Sequence, residues 1–331
     1  MAIKRRLCAS LGLIALALSL PLGAARAQDA TSSLTLSTNA GAVHYFPTIS
    51  GAAARSTLAV DSGPLLYHAG GSIMPTATVY AIFWVPPTLQ DGTATSMSSH
   101  YQTVERRVLT DYAGHALGSN DTQYYQVRTT RTFFQDRGNF GGFYVDTSAY
   151  PASDCVDSAT PNDCISDAAI QAEIQKVMTL QGWTAGINKV FFLFTSSGEG
   201  SCFTDSSPCA YTNYCAYHGY FGSTSSPVIY SNQPYGDTSV CQVTGTPSPN
   251  ADPAADTAAT AASHELSESI TDPLLNAWYT AQGNEVADLC AYNYGTNNWD
   301  GGLANQVWNG DPYELQTQFD NHTKSCVQVG P

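Results

Sequence analysis

The residues of this 331-residue chain that are best suited to chemistry lie in one stretch, Ser-His-Glu-Leu-Ser-Glu-Ser-Ile-Thr-Asp-Pro, which begins at Ser263. An alanine-rich segment precedes it and a proline ends it, which predicts a helix over most of its length. His264, Glu268 and Asp272 are spaced four residues apart, so they project from one face of that helix, with Glu265 on its flank. An imidazole and a carboxylate one turn apart can hold a divalent cation, while a neighbouring glutamate polarises a water bound to it.

This layout is that of a His-Glu-x-x-His zinc helix in which glutamate replaces the second histidine. A metal site needs a further ligand from elsewhere and an acid that orients the histidine. Glu285 and Asp288, in the segment Gly-Asn-Glu-Val-Ala-Asp, can fill these two roles. The alternative is that these imidazole and carboxylate groups only hydrogen-bond to each other and to a neighbouring loop.

A second histidine, His218, lies in the segment Cys-Ala-Tyr-His-Gly. Such a residue is often a hydrogen-bonded structural histidine, and it is also a candidate ligand or a donor to a transition state. Hydrolysis would use Glu265 as the general base and His218, or a tyrosine near it, to stabilise an oxyanion.

The first 27 residues are typical of a secretory signal peptide, with Lys4, Arg5 and Arg6, an apolar run and an Ala-Arg-Ala cleavage site. The apolar run is too short to count as a membrane span of the mature protein. Removing this leader takes away four of the thirteen Lys and Arg residues and none of the 27 Asp and Glu residues, so the formal charge goes from −14 to −18. That charge excludes nucleic acid and anionic lipid as partners.

Eight cysteines remain after the leader, and an even number in an exported chain predicts up to four disulfides. Their connectivity cannot be deduced from the sequence, although proximity favours Cys155 with Cys164 and Cys202 with Cys209. Cys215, Cys241, Cys290 and Cys326 would then form the remaining two pairs. A thiolate zinc site is disfavoured because none of the spacings is a Cys-x-x-Cys pair.

Apolar runs at residues 78–85 and 189–195 predict buried strands, and helical periodicity predicts helices at 96–116 and from Ser166 to about Leu180. Residues 122–132 alternate like a strand, and residues 196–250 are expected to be rich in loops, with a short strand near 227–231. Residues 28–58 are expected to be a flexible N-terminal segment. Residues 59–331 are expected to form one α/β or α+β domain, in which a mixed sheet packs on the active-site helix and disulfides stabilise the loops.

Several segments together resemble the secreted phosphate-induced protein 1, or EXORDIUM-like, family. They comprise Gly-Pro-Leu-Leu-Tyr-His from Gly63, the strand from Phe191 to Ser196, Cys-Ala-Tyr-His-Gly from Cys215, Ala-Ser-His-Glu-Leu-Ser-Glu from Ala262, and residues 276–279 and 285–290. The resemblance implies an extracellular protein and does not imply a particular reaction.

A narrower resemblance concerns the metal pattern, which is similar to the zinc helix and the glutamate-bearing helix of thermolysin-like peptidases, or zincins. It implies a zincin-like domain with His264 and Glu285 as ligands, Glu265 as the general base and Asp288 as the residue that orients the histidine. The departure is Glu268, where that family has histidine. An additional carboxylate weakens the ion as a Lewis acid and favours a harder ion such as Ca²⁺.

These observations predict a secreted, extracellular or periplasmic, monomeric Zn²⁺-dependent hydrolase, with metallopeptidase as the first hypothesis. His264, Glu268 and Glu285 would be its ligands, Asp288 and Asp272 would support them, and its substrate would be a peptide or a cell-wall glycan. The alternative is a non-catalytic extracellular protein that binds a glycan or peptide and uses the cluster as a structural metal site or hydrogen-bond network.

Overall fold

The computed structural model describes residues 34–38, 41–56 and 63–330, and the predicted leader lies outside these ranges. The strands are β1 Thr35–Thr38, β2 Gly41–Pro47, β3 Leu66–Tyr67, β4 Ala77–Trp84, β5 Tyr125–Val127, β6 Arg131–Phe133, β7 Gly138–Asp146, β8 Cys164–Ser166, β9 Lys189–Thr195, β10 Gly200–Cys202, β11 Tyr214–Ser223, β12 Ser226–Gln233, β13 Trp278–Tyr279, β14 Gln306–Trp308, β15 Asp311–Tyr313, β16 Gln318–Asp320 and β17 Ser325–Val327. The helices are α1 Ile49–Ser56, α2 Ser99–Asp111, α3 Ala116–Asp121, α4 Asp167–Gln181, α5 Thr238–Cys241 and α6 Pro253–Thr271.

A seven-stranded mixed sheet in the order β1-β2-β11-β12-β9-β4-β7 forms the centre of the fold. The strands from β12 to β7 are parallel to their neighbours, whereas β1, β2, β11 and β12 pair antiparallel. The large mixed sheet with helices confirms the predicted α/β class.

Alternation along the central strands separates two cores, because successive side chains of a strand point to opposite faces. On β9, Phe192 and Phe194 pack into the core that includes α2 and α6. Phe191 and Leu193 point the other way, into the core built on α4. The runs predicted as buried strands are therefore apolar throughout because a helical layer covers each face of the sheet.

Helix α6 is buried along nearly its whole length and carries the predicted chemical residues. The Asp252 carboxylate caps its first turn by accepting a hydrogen bond from the Ala255 N–H, and Pro253 occupies its first position. The helix ends at Thr271, one residue before the C-cap Asp272 and two before Pro273, as the sequence predicts. Its many alanines allow close approach to α2 and to the sheet, which contact it on different sides.

Two segments differ from what the sequence leads one to expect. Residues 28–58 are expected to be loosely attached, but their described part supplies two strands of the main sheet: β2 pairs with β11, and β1 pairs with β2. Residues 196–250 are expected to be rich in loops, but they contain the long hairpin of β11 and β12. In both segments the strands are stabilised by pairing with distant parts of the chain, which a local pattern does not reveal.

Four disulfides hold the chain together, and they match the pairs that sequence proximity favours. Their members are Cys155–Cys164, Cys202–Cys209, Cys215–Cys241 and Cys290–Cys326. Disulfides form and persist in oxidising surroundings, so they indicate such a compartment for this protein. Within the described ranges, no helix is both long and apolar enough to cross a membrane.

Candidate metal centre

The residues of helix α6 that the sequence analysis assigned to the site lie together in the protein interior. The side chains of His264, Glu265 and Glu268 are fully buried, and so is that of Asp272. The Nε2 atom of His264 lies 3.1 Å from Oε1 of Glu268, the distance expected for residues one turn apart on a helix face.

Two neighbouring strands add histidines to this helix face. His218 on β11 and His44 on β2 are directly opposite each other in the antiparallel pair. Both are fully buried, and their ring centroids are 5.9 Å apart. His44 is a residue of the cluster that the sequence reading missed. The local signal was only the short apolar stretch Val-His-Tyr-Phe around it, and so short a run does not distinguish a strand from a helix.

The chain that follows β13 adds two carboxylates. Asp288 Oδ2 accepts a hydrogen bond from His44 Nε2 at 2.7 Å and another from the Glu285 N–H at 2.8 Å. The sequence assigns Asp288 to orient His264, whereas the atom of Asp288 nearest to His264 Nε2 is Oδ1, at 3.8 Å. Asp288 therefore orients His44 instead of His264, through the kind of hydrogen bond that a carboxylate makes to a ligand histidine in metal sites.

His218 has the geometry of a metal ligand. Its Nδ1 lies 3.0 Å from Oε2 of Glu265. When that carboxylate is ionised it accepts a hydrogen bond from Nδ1–H, and the lone pair of the neutral ring is then on Nε2. Nε2 makes no hydrogen bond within the described part of the chain, and Oε2 of Glu285 lies 3.7 Å away. Burial, with His44 and His264 nearby, lowers the pKa of His218 well below its usual value, so the ring is neutral.

His264 makes different contacts. Its Nδ1 lies 2.8 Å from the amide nitrogen of Gln316, which also donates to the carbonyl of Ala287 at 2.9 Å. Its ring lies against that of Phe46, with centroids 4.3 Å apart. Gln316 is a second residue of the cluster that the sequence analysis missed, and nothing in the sequence around it indicates a contact with His264.

The cluster holds five carboxyl groups, those of Glu265, Glu268, Asp272, Glu285 and Asp288. All but Asp272 form ion pairs among the described residues, and every partner in those pairs is a histidine. Burial first, and then the neighbouring carboxylates, raise the pKa of Glu265 and of Glu285 well above the usual value. Burial also raises the pKa of Asp272 to about 7, although the N–H groups of Asn276 and Ala277 donate to this carboxylate. Around His44, burial opposes protonation, but the charge and hydrogen bond of Asp288 outweigh it and raise the pKa.

Buried carboxylates without Lys or Arg partners must be compensated by protons or by bound cations. Two groups of three residues bring one ligand atom each to within 4.8 Å of one another: His218 with Glu268 and Glu285, and His44 with Glu268 and Asp288. A third such group consists of cysteines that are already in disulfides. Some residue groups of this fold can therefore hold a metal ion.

The first of these groups fits an ion best. Its atoms His218 Nε2, Glu268 Oε2 and Glu285 Oε2 are buried and have no hydrogen-bond partner in the described ranges. In the second group, a direct hydrogen bond already joins His44 to Asp288. Neither group includes His264, so its assignment as a ligand stays a prediction.

The structure brings together every residue that the sequence analysis assigned to the site, as catalytic groups, ligands or supporting carboxylates. No protein-family model, no curated protein and no solved structure matches the chain. The resemblances to the EXORDIUM-like family and to zincins therefore stay predictions, and the function must be argued from the site.

Proposed function

We propose that the protein is a secreted zinc-dependent hydrolase, with peptides as its first candidate substrates. The observation that carries the proposal is the unpartnered Nε2 atom of fully buried His218, which faces a carboxylate oxygen of Glu285 at 3.7 Å. Ligand atoms of a tetrahedral zinc site lie roughly 3.3 Å apart when each is about 2.0–2.1 Å from the ion. A small closure of these side chains gives that geometry.

In this proposal, His218, Glu268 and Glu285 hold the ion, and Asp288 holds His44 beside them. One nitrogen and several carboxylate oxygens are ligands that zinc accepts, whereas a calcium site consists of oxygen alone. When bound, zinc supplies a water that ionises near neutral pH and a positive charge that polarises a carbonyl.

The two carboxylate oxygens of Glu265 differ in their hydrogen bonding. Oε2 accepts the hydrogen bond from His218 Nδ1, while Oε1 is buried and has no hydrogen-bond partner among the described residues. Oε1 is therefore the oxygen that can take a proton from a water. A raised pKa, as burial gives this carboxyl, is the property that a general acid–base group needs near neutral pH.

Zinc content and hydrolysis test the two halves of the proposal separately. Protein purified without added metal should contain stoichiometric zinc by elemental analysis, and Glu268→Ala should lose it. Glu265→Gln keeps an oxygen that can accept from His218, so it should retain zinc while peptide hydrolysis falls roughly 10²–10⁴-fold. Glu105→Gln, a substitution of a fully buried glutamate on α2, is the matched control and should keep both zinc and activity.

A second function is favoured by one specific observation: the proposed ligands His218, Glu268 and Glu285 are at most 1% exposed. That burial suits a structural ion in a non-catalytic extracellular protein that binds a glycan or peptide elsewhere. In that case Glu265→Gln would leave function intact, and His264→Ala would lower the melting temperature. Absence of zinc from the wild-type protein would contradict the metal in both proposals.

A further inference from the structure

Glu268 lies between two sets of ligands, and its two oxygens face different histidines. Oε1 lies 3.1 Å from His264 Nε2, and Oε2 lies 3.7 Å from His218 Nδ1. The N–H groups of Ala287 and Asp288 donate to Oε1 at 3.3 and 3.2 Å, which fixes the orientation of the carboxylate. The two oxygens of Glu268 therefore have different neighbours.

The two three-residue groups described above share only this residue. One group adds His218 and Glu285, and the other adds His44 and Asp288. His44 and His218 lie side by side on neighbouring strands, with ring centroids 5.9 Å apart. Two ions bridged by one group lie about 3.5–4 Å apart in two-metal sites, a shorter distance than the one between these two ring centroids.

The charge of the cluster also favours two ions. Five carboxyl groups converge here, and in the described ranges the four that form ion pairs form them with histidines. One divalent ion offsets two of the five negative charges that the ionised cluster would carry. A second leaves a single charge, which one imidazolium or one retained proton can offset.

We propose that the centre is dinuclear, with Glu268 as the bridging carboxylate between one ion held by His218 and Glu285 and a second held by His44 and Asp288. This inference rests on the proposed metal-dependent function and deepens it. His44 Nε2 and Asp288 Oδ2 are now joined directly at 2.7 Å, so they separate by roughly 0.6 Å to accept an ion between them. Two adjacent ions would suit a peptide hydrolase because one could hold the attacking water while the other polarises the carbonyl oxygen of the peptide bond.

The test is zinc stoichiometry in the full mature protein, stripped with a chelator, reloaded with zinc and desalted. The wild type should bind two zinc ions per chain. His218→Ala and His44→Ala should each bind one, Glu268→Ala should bind none, and Glu105→Gln should bind two. Circular dichroism of every variant establishes that it is folded, and His44→Gln replaces any His44→Ala preparation that is not.

Loading with Mn²⁺ gives a second measurement that does not depend on activity. Two bridged Mn²⁺ ions should give an exchange-coupled electron paramagnetic resonance spectrum, which His44→Ala converts to that of an isolated ion. One zinc ion per wild-type chain, or an unchanged stoichiometry in His44→Ala, would overturn the dinuclear centre and leave the proposed hydrolase standing. No zinc at all would overturn both.

Discussion

At the scale of single residues, the structure shows how hydrogen bonds distribute roles among similar side chains. Three histidines converge on one cluster, yet only His218 combines a carboxylate on Nδ1 with an Nε2 atom that lacks a hydrogen-bond partner in the described ranges. His44 is tied to Asp288, and His264 is contacted by Gln316. The sequence predicts most of the residues that gather in this cluster, but it does not predict their separate contacts, because these depend on which polar atom faces which neighbour.

Gln316 supports the cluster through two hydrogen bonds, so its removal should destabilise the fold. Gln316→Leu leaves the Ala287 carbonyl and Nδ1 of His264 without their buried partner. We expect a loss of roughly 1–3 kcal/mol in the free energy of unfolding, measured by urea denaturation. Gln175→Leu, an exposed substitution of the same kind on α4, should change it by less than about 0.5 kcal/mol. Equal effects of both substitutions would contradict this role of Gln316.

Glu199 should make stability depend on pH. Burial raises the pKa of Glu199 to about 8, although Gln90 donates a hydrogen bond to its Oε1 atom, which acts in the opposite direction. The folded protein therefore holds a proton that the unfolded chain releases near pH 4.5, so this carboxyl lowers stability as pH rises from about 5 to about 8. At about 1.4 kcal/mol per pKa unit, a rise from 4.5 to about 8 corresponds to a loss of roughly 5 kcal/mol.

The measurement is the free energy of unfolding at several pH values for the wild type and Glu199→Gln. The variant should lose this component of the decline and be more stable than the wild type at pH 8. A decline of the same steepness in both proteins would show that Glu199 is not its source.

At the scale of elements, the site depends on α6 keeping its register between the sheet and α2. Much of this helix is predictable, because the alanine run, the Asp252 cap and Pro273 are local signals. The central strands β4 and β9 are also predictable, because each is an apolar run. Strands β2 and β11 are not predictable in this way, because they pair with each other across about 170 residues of sequence. His44 was therefore not assigned to the site.

The N-cap of α6 should contribute measurable stability. Asp252→Ala removes the acceptor for the Ala255 N–H and should lower the free energy of unfolding by about 1 kcal/mol. Asp252→Asn keeps a side-chain oxygen at the cap and should be nearly neutral. Chemical denaturation of both variants checks this, and the expectation fails if asparagine destabilises as much as alanine.

At the scale of the whole molecule, disulfides connect the site to the periphery. The Cys290–Cys326 disulfide begins two residues after Asp288 and ties that segment to β17, with a sequence separation of 36. The Cys202–Cys209 disulfide closes a much shorter loop, with a separation of 7, and lies in a separate cysteine cluster. The two bonds therefore give a matched comparison of stability and of site support.

Replacing both Cys290 and Cys326 with alanine should cost about 3–4 kcal/mol, on the loop-entropy estimate, and should also weaken zinc binding. Replacing Cys202 and Cys209 should cost about 2–3 kcal/mol and leave zinc affinity unchanged. Thermal unfolding and competition with a chelator measure the two effects. Equal zinc affinity in both double variants would show that the Cys290–Cys326 disulfide does not support the site.

The hydrogen bond between His44 and Asp288 spans 244 residues of sequence. At translation rates of roughly 5–20 residues per second, about 10 to 50 seconds pass between the synthesis of these two side chains. A nascent chain therefore carries only fragments of the cluster for most of its synthesis, and none of them can retain a cation firmly. Under the proposed metal-dependent function, the ion that binds is one that is abundant where folding finishes, so the compartment in which the chain folds would determine the metal.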